Sequence, residues 1–355
     1  MKRLQTFVHG RDNSYHLLRL MAASAVLFSH SFPLASGDRR DEPLRTALGC
    51  TPGSIAVDLF FLISGLLVTI SLLRRNSAAD FVRARFFRIW PGLITALLVT
   101  IFVLGPVFTT LSIPAYFESR GTWRYLAQNL VLLKNIDYVL PGVFAANPSP
   151  VAVNGSLWTL PLEVSCYLIL LGCWFILKLV DRPALFKAVV SITWLVLLGL
   201  HIRALQHGTL EDSPMRLYFM FCTGAALYLY RAAIPLSWVV LMFLLAVVAL
   251  SASHGLYFGI AYAAALPYAM VCLAYLPTGP ILKFNRLGDY SYGTYIYAYP
   301  VQQSLISLFP GLTAMALFLL SFVVTMVLAV ASWHCVEKPA LALARKKTTR
   351  RTVEV

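Results

Sequence analysis

The sequence predicts an all-α membrane protein, a polytopic bundle of about ten transmembrane helices, on three observations. Of its 355 residues 59% are hydrophobic and only 12% are charged, against about 25% charged in soluble domains. The hydrophobic residues gather in runs of about 20, the length a helix needs to cross a lipid core. Short polar segments punctuate those runs. A soluble enzyme, a disordered chain and a disulfide scaffold are excluded on this composition.

Run length and flanking residues put the spans near Tyr15–Leu34, Ser54–Leu73, Trp90–Thr110, Leu157–Val180, Leu185–Leu205, Met215–Tyr230, Pro235–Ser251, Leu256–Leu276, Tyr290–Phe309 and Leu312–Cys335. The first is a full span without a small-residue cleavage site, so it reads as a membrane helix rather than a signal peptide. Tyr125–Ile136 is too short to cross and reads as an amphipathic or re-entrant piece, and Pro235–Leu276 admits more than one drawing as a hairpin. An even number of spans puts both termini on one side. The segments on that side carry 21 of the 29 Lys and Arg residues and the opposite segments carry eight, so both termini are expected in the cytoplasm. The longest outward loop, Leu111–Gly155, holds Pro114, Pro141, Pro148 and Pro150 and no charge run, and suits a cover over an outward-facing site. Residues 1–340 thus form one integral membrane domain. Residues 341–355 form a basic cytoplasmic tail expected to meet anionic membrane lipid.

The net charge of +14 does not indicate nucleic acid. The cations sit mostly between spans, where orientation bias accounts for them, and the aromatic interleaving of a nucleic-acid surface is absent. All the cysteines but Cys50 fall in or beside apolar runs, with no CxxC or Cys/His spacing. They read as small core residues, and neither a disulfide nor a metal is expected. No internal repeat is visible, which weakens a transporter reading.

Ionisable groups within spans are costly and mark function. His30 lies deep in the first span, and Arg19 precedes it by eleven residues, which returns the two side chains to nearly one helix face, roughly 16 Å apart. Taken singly, His30 also fits a core histidine bonded to a carbonyl, and Arg19 fits a snorkelling interface residue. Asp58 opens the second span at a depth comparable to His30. A carboxylate against an imidazole fixes its tautomer, although a carboxylate near a helix N-terminus also satisfies the dipole. Arg85 and Arg88, three apart, share a helix face and can clamp one phosphate group, or belong to an ordinary positive-inside cluster. Glu163, two turns into its span in GSLWTLPLEVSCYL, is a second acid/base candidate or an acceptor for a substrate hydroxyl, or a structural partner of Trp158 or Tyr167. Tyr292, Tyr295 and Tyr299 follow helical spacing beside Pro300, with Gln302 and Gln303 at membrane depth. With Trp158 they suit a sugar site or simple packing. Glu337-Lys338-Pro339 reads as the stop of the last span. Acid/base groups (His30, Asp58, Glu163) thus gather outward and arginines (Arg19, Arg85, Arg88) inward. This suits an anionic cytoplasmic donor and a neutral acceptor from outside.

These residues resemble the signatures of acyltransferase family 3, membrane proteins that O-acylate bacterial surface and secreted carbohydrates. Arg19-x10-His30 matches the family's first-span motif, and Asp58-Leu59-Phe60-Phe61-Leu62-Ile63-Ser64-Gly65 resembles its second-span signature. Arg85-x-x-Arg88 before Ile89-Trp90-Pro91 matches its arginine motif. Ser156-Leu157-Trp158-Thr159-Leu160 with Glu163 is similar to its Ser-x-Trp-Ser-Leu-x-x-Glu segment, and Glu337-x-Pro339 matches its last motif. The order is kept from Arg19 to Pro339. Ala298 stands where many members have histidine in the late span, Thr159 stands for a serine, and the esterase-like domain fused to some members is absent.

The resemblance implies transfer of an acyl group, most often acetyl, from cytoplasmic acyl-CoA to a sugar hydroxyl of a polysaccharide, oligosaccharide or lipid-linked glycan at a bacterial inner membrane. On that implication Arg85 and Arg88 hold the CoA phosphates and Arg19 guides the donor. His30 is the general base, with Asp58 or Glu163 orienting it, or else carries the acyl group transiently. Trp158, Tyr292, Tyr295, Tyr299 and Gln302 line the acceptor site. A transporter or flippase of lipid-linked sugar is the alternative class.

Overall fold

The computed structural model describes the chain apart from residues 1, 9, 11, 134, 150, 151, 209–212 and 352–355 and the side chains of 345–351. Arg11, Lys134, Pro150 and most of the basic tail therefore lie outside the described residues. The described chain is helical, without strands beyond two isolated bridges. The main helices are α1 (Tyr15–Ser36), α2 (Pro52–Arg75), α3 (Ala78–Phe108), α4 (Arg120–Val131), α5 (Gly155–Leu179), α6 (Leu185–Gln206), α7 (Met215–Leu229), α8 (Trp238–Leu250), α9 (Gly255–Tyr275), α10 (Ser291–Leu308) and α11 (Ala314–Ala344). Seven of these (α1, α2, α3, α5, α6, α9 and α11) are long and apolar enough to cross a membrane, while α7 and α8 are apolar but shorter. Among the described residues seven helices qualify as candidate spans, where apolar runs suggested about ten.

Two helix limits differ from the sequence expectation. The third span was expected from Trp90, yet α3 begins at Ala78, where the Ser77 side chain accepts from the Asp80 N–H. The arginines end an apolar run without ending a helix, so Arg85 and Arg88 lie within α3. Glu337-Lys338-Pro339 was expected to stop the last span. Instead a π-helical turn, Trp333–Glu337, runs into Lys338–Arg351. Pro339 takes the second position after that turn, where its missing N–H is tolerated.

The chain divides into two compact units. The first comprises residues 1–22, 44–76 and 165–288. Its axis is the packing of α2 on α7. A Cβ on Gly65 would run into the Phe221 carbonyl, and one on Gly224 into the Leu62 carbonyl, so glycine lets the backbones meet. A capping box starts α2: Thr51 Oγ1 accepts from Ser54 N at 3.0 Å and Ser54 Oγ accepts from Thr51 N at 2.8 Å.

The second unit comprises residues 23–43, 77–164 and 289–355. Its centre is α10, buried continuously from Ser291 to Gln303. Gly293 lets α10 approach Ala329 of α11, and Gly92 of α3 makes room for the Tyr292 ring. The α4 helix meets α3 where the Trp90 indole donates to the Leu130 carbonyl at 3.0 Å, and in the short helix Ile113–Glu118 before it the Tyr116 hydroxyl donates to the Ile101 carbonyl at 3.1 Å. The segment following α4 is pinned inside the unit. Thr110 N–H donates to Gly142 O at 3.1 Å. Asn147 donates to Gln303 Oε1 at 2.8 Å, and Gln303 donates to the Ser149 and Ala152 carbonyls, each at 2.8 Å.

Candidate functional site

The site grows from α10, whose sequence SYGTYIYAYPVQQ gives one helix a polar stripe. In lipid every such group needs a partner within the protein. Asp289 precedes the helix and accepts from the N–H of Ser291 at 3.4 Å and from its hydroxyl. The other Asp289 oxygen accepts from Arg88 Nη2 at 2.7 Å. Tyr292 donates to the Ile89 carbonyl at 2.8 Å, and Tyr295 shares a 2.8 Å hydrogen bond with Thr159. Asn154 donates to the Ile296 carbonyl at 2.9 Å, while its Oδ1 accepts from Ser156 N–H and caps the turn into α5. Gln302 donates to the Leu27 carbonyl at 2.9 Å and to Ser31 Oγ at 2.7 Å.

His30 meets this stripe at Tyr299, edge to face, with centroids 5.3 Å apart. Its Nδ1 is buried without a hydrogen-bond partner among the described residues. Next to it, Ser29 donates to the carboxylate of Glu42, which is buried; Glu42 and Arg39 are the charged groups near enough to act on the imidazole. The loop holding them turns at Asp38, whose carboxyl is held below the usual range by the Arg40 backbone N–H and guanidinium.

At the other end of the stripe the Arg88 guanidinium, 13% exposed, lies 5.6 Å from the centroid of the Tyr292 ring and 3.9 Å from Glu337 Oε2. Glu337 Oε1 accepts from Ser332 at 3.0 Å. Glu163 also acts electrostatically on Arg88 and Tyr292. The second unit thus gathers His30, Arg85, Arg88, Trp158, Glu163, Tyr292, Tyr295, Tyr299 and Gln302. Within it Glu163 acts electrostatically on Tyr295 as well as on Arg88 and Tyr292. Trp158, on the turn opening α5, is 37% exposed.

Arg19 and Asp58 fall in the first unit. Arg19 lies 6.0 Å from the Phe60 ring centroid. Asp58 is fully buried, and its Oδ2 accepts from Tyr262 hydroxyl at 2.7 Å and from Arg216 Nη1 at 3.4 Å. Those are its hydrogen-bond partners, where an imidazole had been expected. His201 stacks on Phe219 with centroids 4.6 Å apart. Sequence reasoning missed Glu42, Arg216 and Tyr262, and gave Asp289 no role. Asp289 stood beside the tyrosine series, but its partner lies 201 residues away. Among the described residues no His, Cys, Asp and Glu side chains group in a way that would hold a metal ion.

A helical membrane unit with a histidine and an arginine meeting at one polar helix defines a class that comparison with known proteins identifies. The chain belongs to acyltransferase family 3, whose profile, described as an acyltransferase domain, matches residues 12–334. It is an O-acyltransferase. It is 30% identical to an O-acetyl transferase of Shigella phage Sf6, over 95% of this chain and 98% of that one. It is also 30% identical to nodulation protein 10 of Rhizobium leguminosarum bv. viciae, over 96% of each chain. A shorter match, 32% identity over 155 residues, reaches acyltransferase MdmB of Streptomyces mycarofaciens, over 42% of this chain and 36% of that protein. No solved structure matches.

Proposed function

We propose that the protein transfers an acetyl group from acetyl-CoA to a hydroxyl of a surface, secreted or lipid-linked bacterial glycan, as a multi-pass protein of the inner membrane. His30 is the general base. It takes the acceptor hydroxyl's proton as the oxygen attacks the thioester carbonyl, and the imidazolium returns that proton to the departing thiolate, so the balance is one ester and one thiol. Arg85 and Arg88 belong to the donor end. Tyr299, Gln302 and Trp158 serve the acceptor end, and Tyr292 and Tyr295 line the path between. Glu163 supports the chemistry near Arg88. Asp58 is held by Tyr262 and Arg216 within the first unit.

One observation carries this reading. His30 touches α10 at Tyr299 and Arg88 touches it at Asp289. Ten residues, all but the first two helical, separate those points, about 15 Å. An extended thioester arm bridges such a gap, so a donor anchored at the arginines presents its acyl carbon to the histidine. The name of the phage relative favours acetyl as the group.

The test compares surface and secreted glycan by mass spectrometry and proton NMR. The samples are a deletion strain, the strain complemented with the wild type, and the strain complemented with equally expressed His30→Ala. An O-acetyl group lost on deletion and restored only by the wild type supports the proposal. Full restoration by His30→Ala removes the histidine mechanism, and identical glycan in all three removes the acceptor class.

A further inference from the structure

The surroundings of Arg88 do not suit a phosphate. Its guanidinium is bonded to Asp289 and adjoins Glu337, and Glu163 acts on it as a third carboxylate. With Asp289 at 2.7 Å and Glu337 at 3.9 Å, the charge of this 13% exposed guanidinium is already offset in a medium where charges are poorly screened. The phosphates of acyl-CoA brought here would compete with carboxylates already in place. The carboxylates are also built in place. Glu337, 3% exposed, projects from the π-helical turn, a widening that recurs at functional sites, and Ser332 holds its other oxygen. Asp289 is fixed by Ser291. The result is an arginine whose fork is aimed and whose charge is already balanced. Such a group suits an uncharged carbonyl acceptor, to which a guanidinium still makes a charge-assisted hydrogen bond.

We propose that the two arginines of the R-x-x-R pair divide the donor between them: Arg88, held by Asp289 and flanked by Glu337, binds the uncharged pantetheine arm through its amide carbonyls, and Arg85, one turn away on α3, meets the phosphates. Asp289 and Glu337 are then positioning residues acting through Arg88. The inference rests on the acyl-CoA reading above.

Acetyl-pantetheine has the same thioester and arm as acetyl-CoA without its phosphates, so the two donors separate the tasks. The full chain in lipid nanodiscs is assayed for affinity and for thiol release, with glycan from the deletion strain as acceptor. Arg85→Gln is expected to weaken acetyl-CoA binding at least ten-fold and to leave acetyl-pantetheine within two-fold of the wild type. Arg88→Gln, Asp289→Asn and Glu337→Gln are expected to lower turnover of both donors by a common factor of ten or more. They should keep the wild-type preference between the donors. Arg88→Lys keeps the charge and loses the fork; it should fall as far as Arg88→Gln, which distinguishes lost geometry from misfolding when its elution and unfolding temperature match the wild type. An acetyl-CoA-selective loss in Arg88→Gln overturns the division, as does wild-type turnover in both Asp289→Asn and Glu337→Gln. A wild-type protein that binds neither donor removes the acyl-CoA reading itself. One that prefers acetyl-CoA, with the preference untouched by Arg85→Gln, removes only the division.

Discussion

Gly92→Ala tests whether the contact of α3 with α10 holds the arginine end together. A Cβ at Gly92 would stand 2.7 Å from Tyr292 Cε1, 3.2 Å from Cδ1 and 3.6 Å from Glu337 Cγ. Comfortable carbon contact starts at about 3.5 Å, so the ring must retreat by about 0.8 Å. Its hydroxyl is tied at 2.8 Å to the Ile89 carbonyl on the same helix as Gly92. A retreat of that size stretches the bond to about 3.6 Å, where it no longer counts as one. Losing it costs about 1–3 kcal/mol, and overpacking adds about 1–3 kcal/mol. The expected destabilisation is therefore about 2–6 kcal/mol. Arg88 and Glu337 shift with the ring, and misplacement near 1 Å costs turnover about 100-fold. Tyr292→Phe keeps the ring and loses only the hydrogen bond, so its cost is the smaller part. The double variant Gly92→Ala/Tyr292→Leu should be more stable than the sum of the single changes, as residues in contact require. Thermal unfolding in detergent and thiol release measure both effects. Gly92→Ala within about 0.5 kcal/mol of the wild type and fully active would refute the argument, as would strict additivity in the double variant.

Other consequences are simpler. Arg216→Ala strands the fully buried Asp58 carboxylate and should cost about 3–5 kcal/mol, read by unfolding of the purified protein; a change below about 1 kcal/mol would remove the pair from the core of the first unit. Asn129 donates to the Asp137 carbonyl at 2.9 Å and accepts from its N–H at 3.1 Å, so Asn129→Ala should cost about 1–3 kcal/mol. Arg124 also bonds Asp137, at 2.7 Å, but is 62% exposed, and Arg124→Ala should cost less than about 1 kcal/mol. A reversed order would contradict the packing of the segment after α4. Gly65→Val drives a side chain into the Phe221 carbonyl and should abolish accumulation of folded protein, measured by fluorescence-detected size exclusion.

The sequence made the polar face of α10 legible, because Tyr292, Tyr295 and Tyr299 recur at helical spacing whatever they touch. It did not reveal the partners. Thr159, the Ile89 carbonyl and Asp289 join across long separations, which no local pattern encodes. Hydropathy placed the start of the third span at Trp90 because it detects lipid-facing residues, whereas the helix starts at the Ser77 cap. The turn opening α5 is capped by Asn154, whose amide bonds the Ile296 carbonyl of a buried helix 142 residues away, another contact that no local pattern announces. Pro339 looked like a stop because a π-helical turn leaves no mark in composition.

Why α10 should carry the site follows from the cost of its own sequence. Tyrosines, two glutamines and a preceding aspartate are expensive in lipid unless each is paired, and the pairs come from α1, α3, the segment after α4 and the turn into α5. The helix is therefore buried because it is polar, and its partners are ordered by it. Gln302 holds the stretch of α1 that carries His30 through Leu27 and Ser31, while Asp289 holds Arg88. Packing that merely filled space would tolerate apolar residues along this stripe. Here the same hydrogen bonds that make the helix tolerable in the membrane also set the spacing of histidine and arginine. The spacing of His30 and Arg88 is thus set largely by one helix and the aspartate just before it. On the proposed mechanism, a donor arm that fits this spacing would bring its acyl carbon to His30.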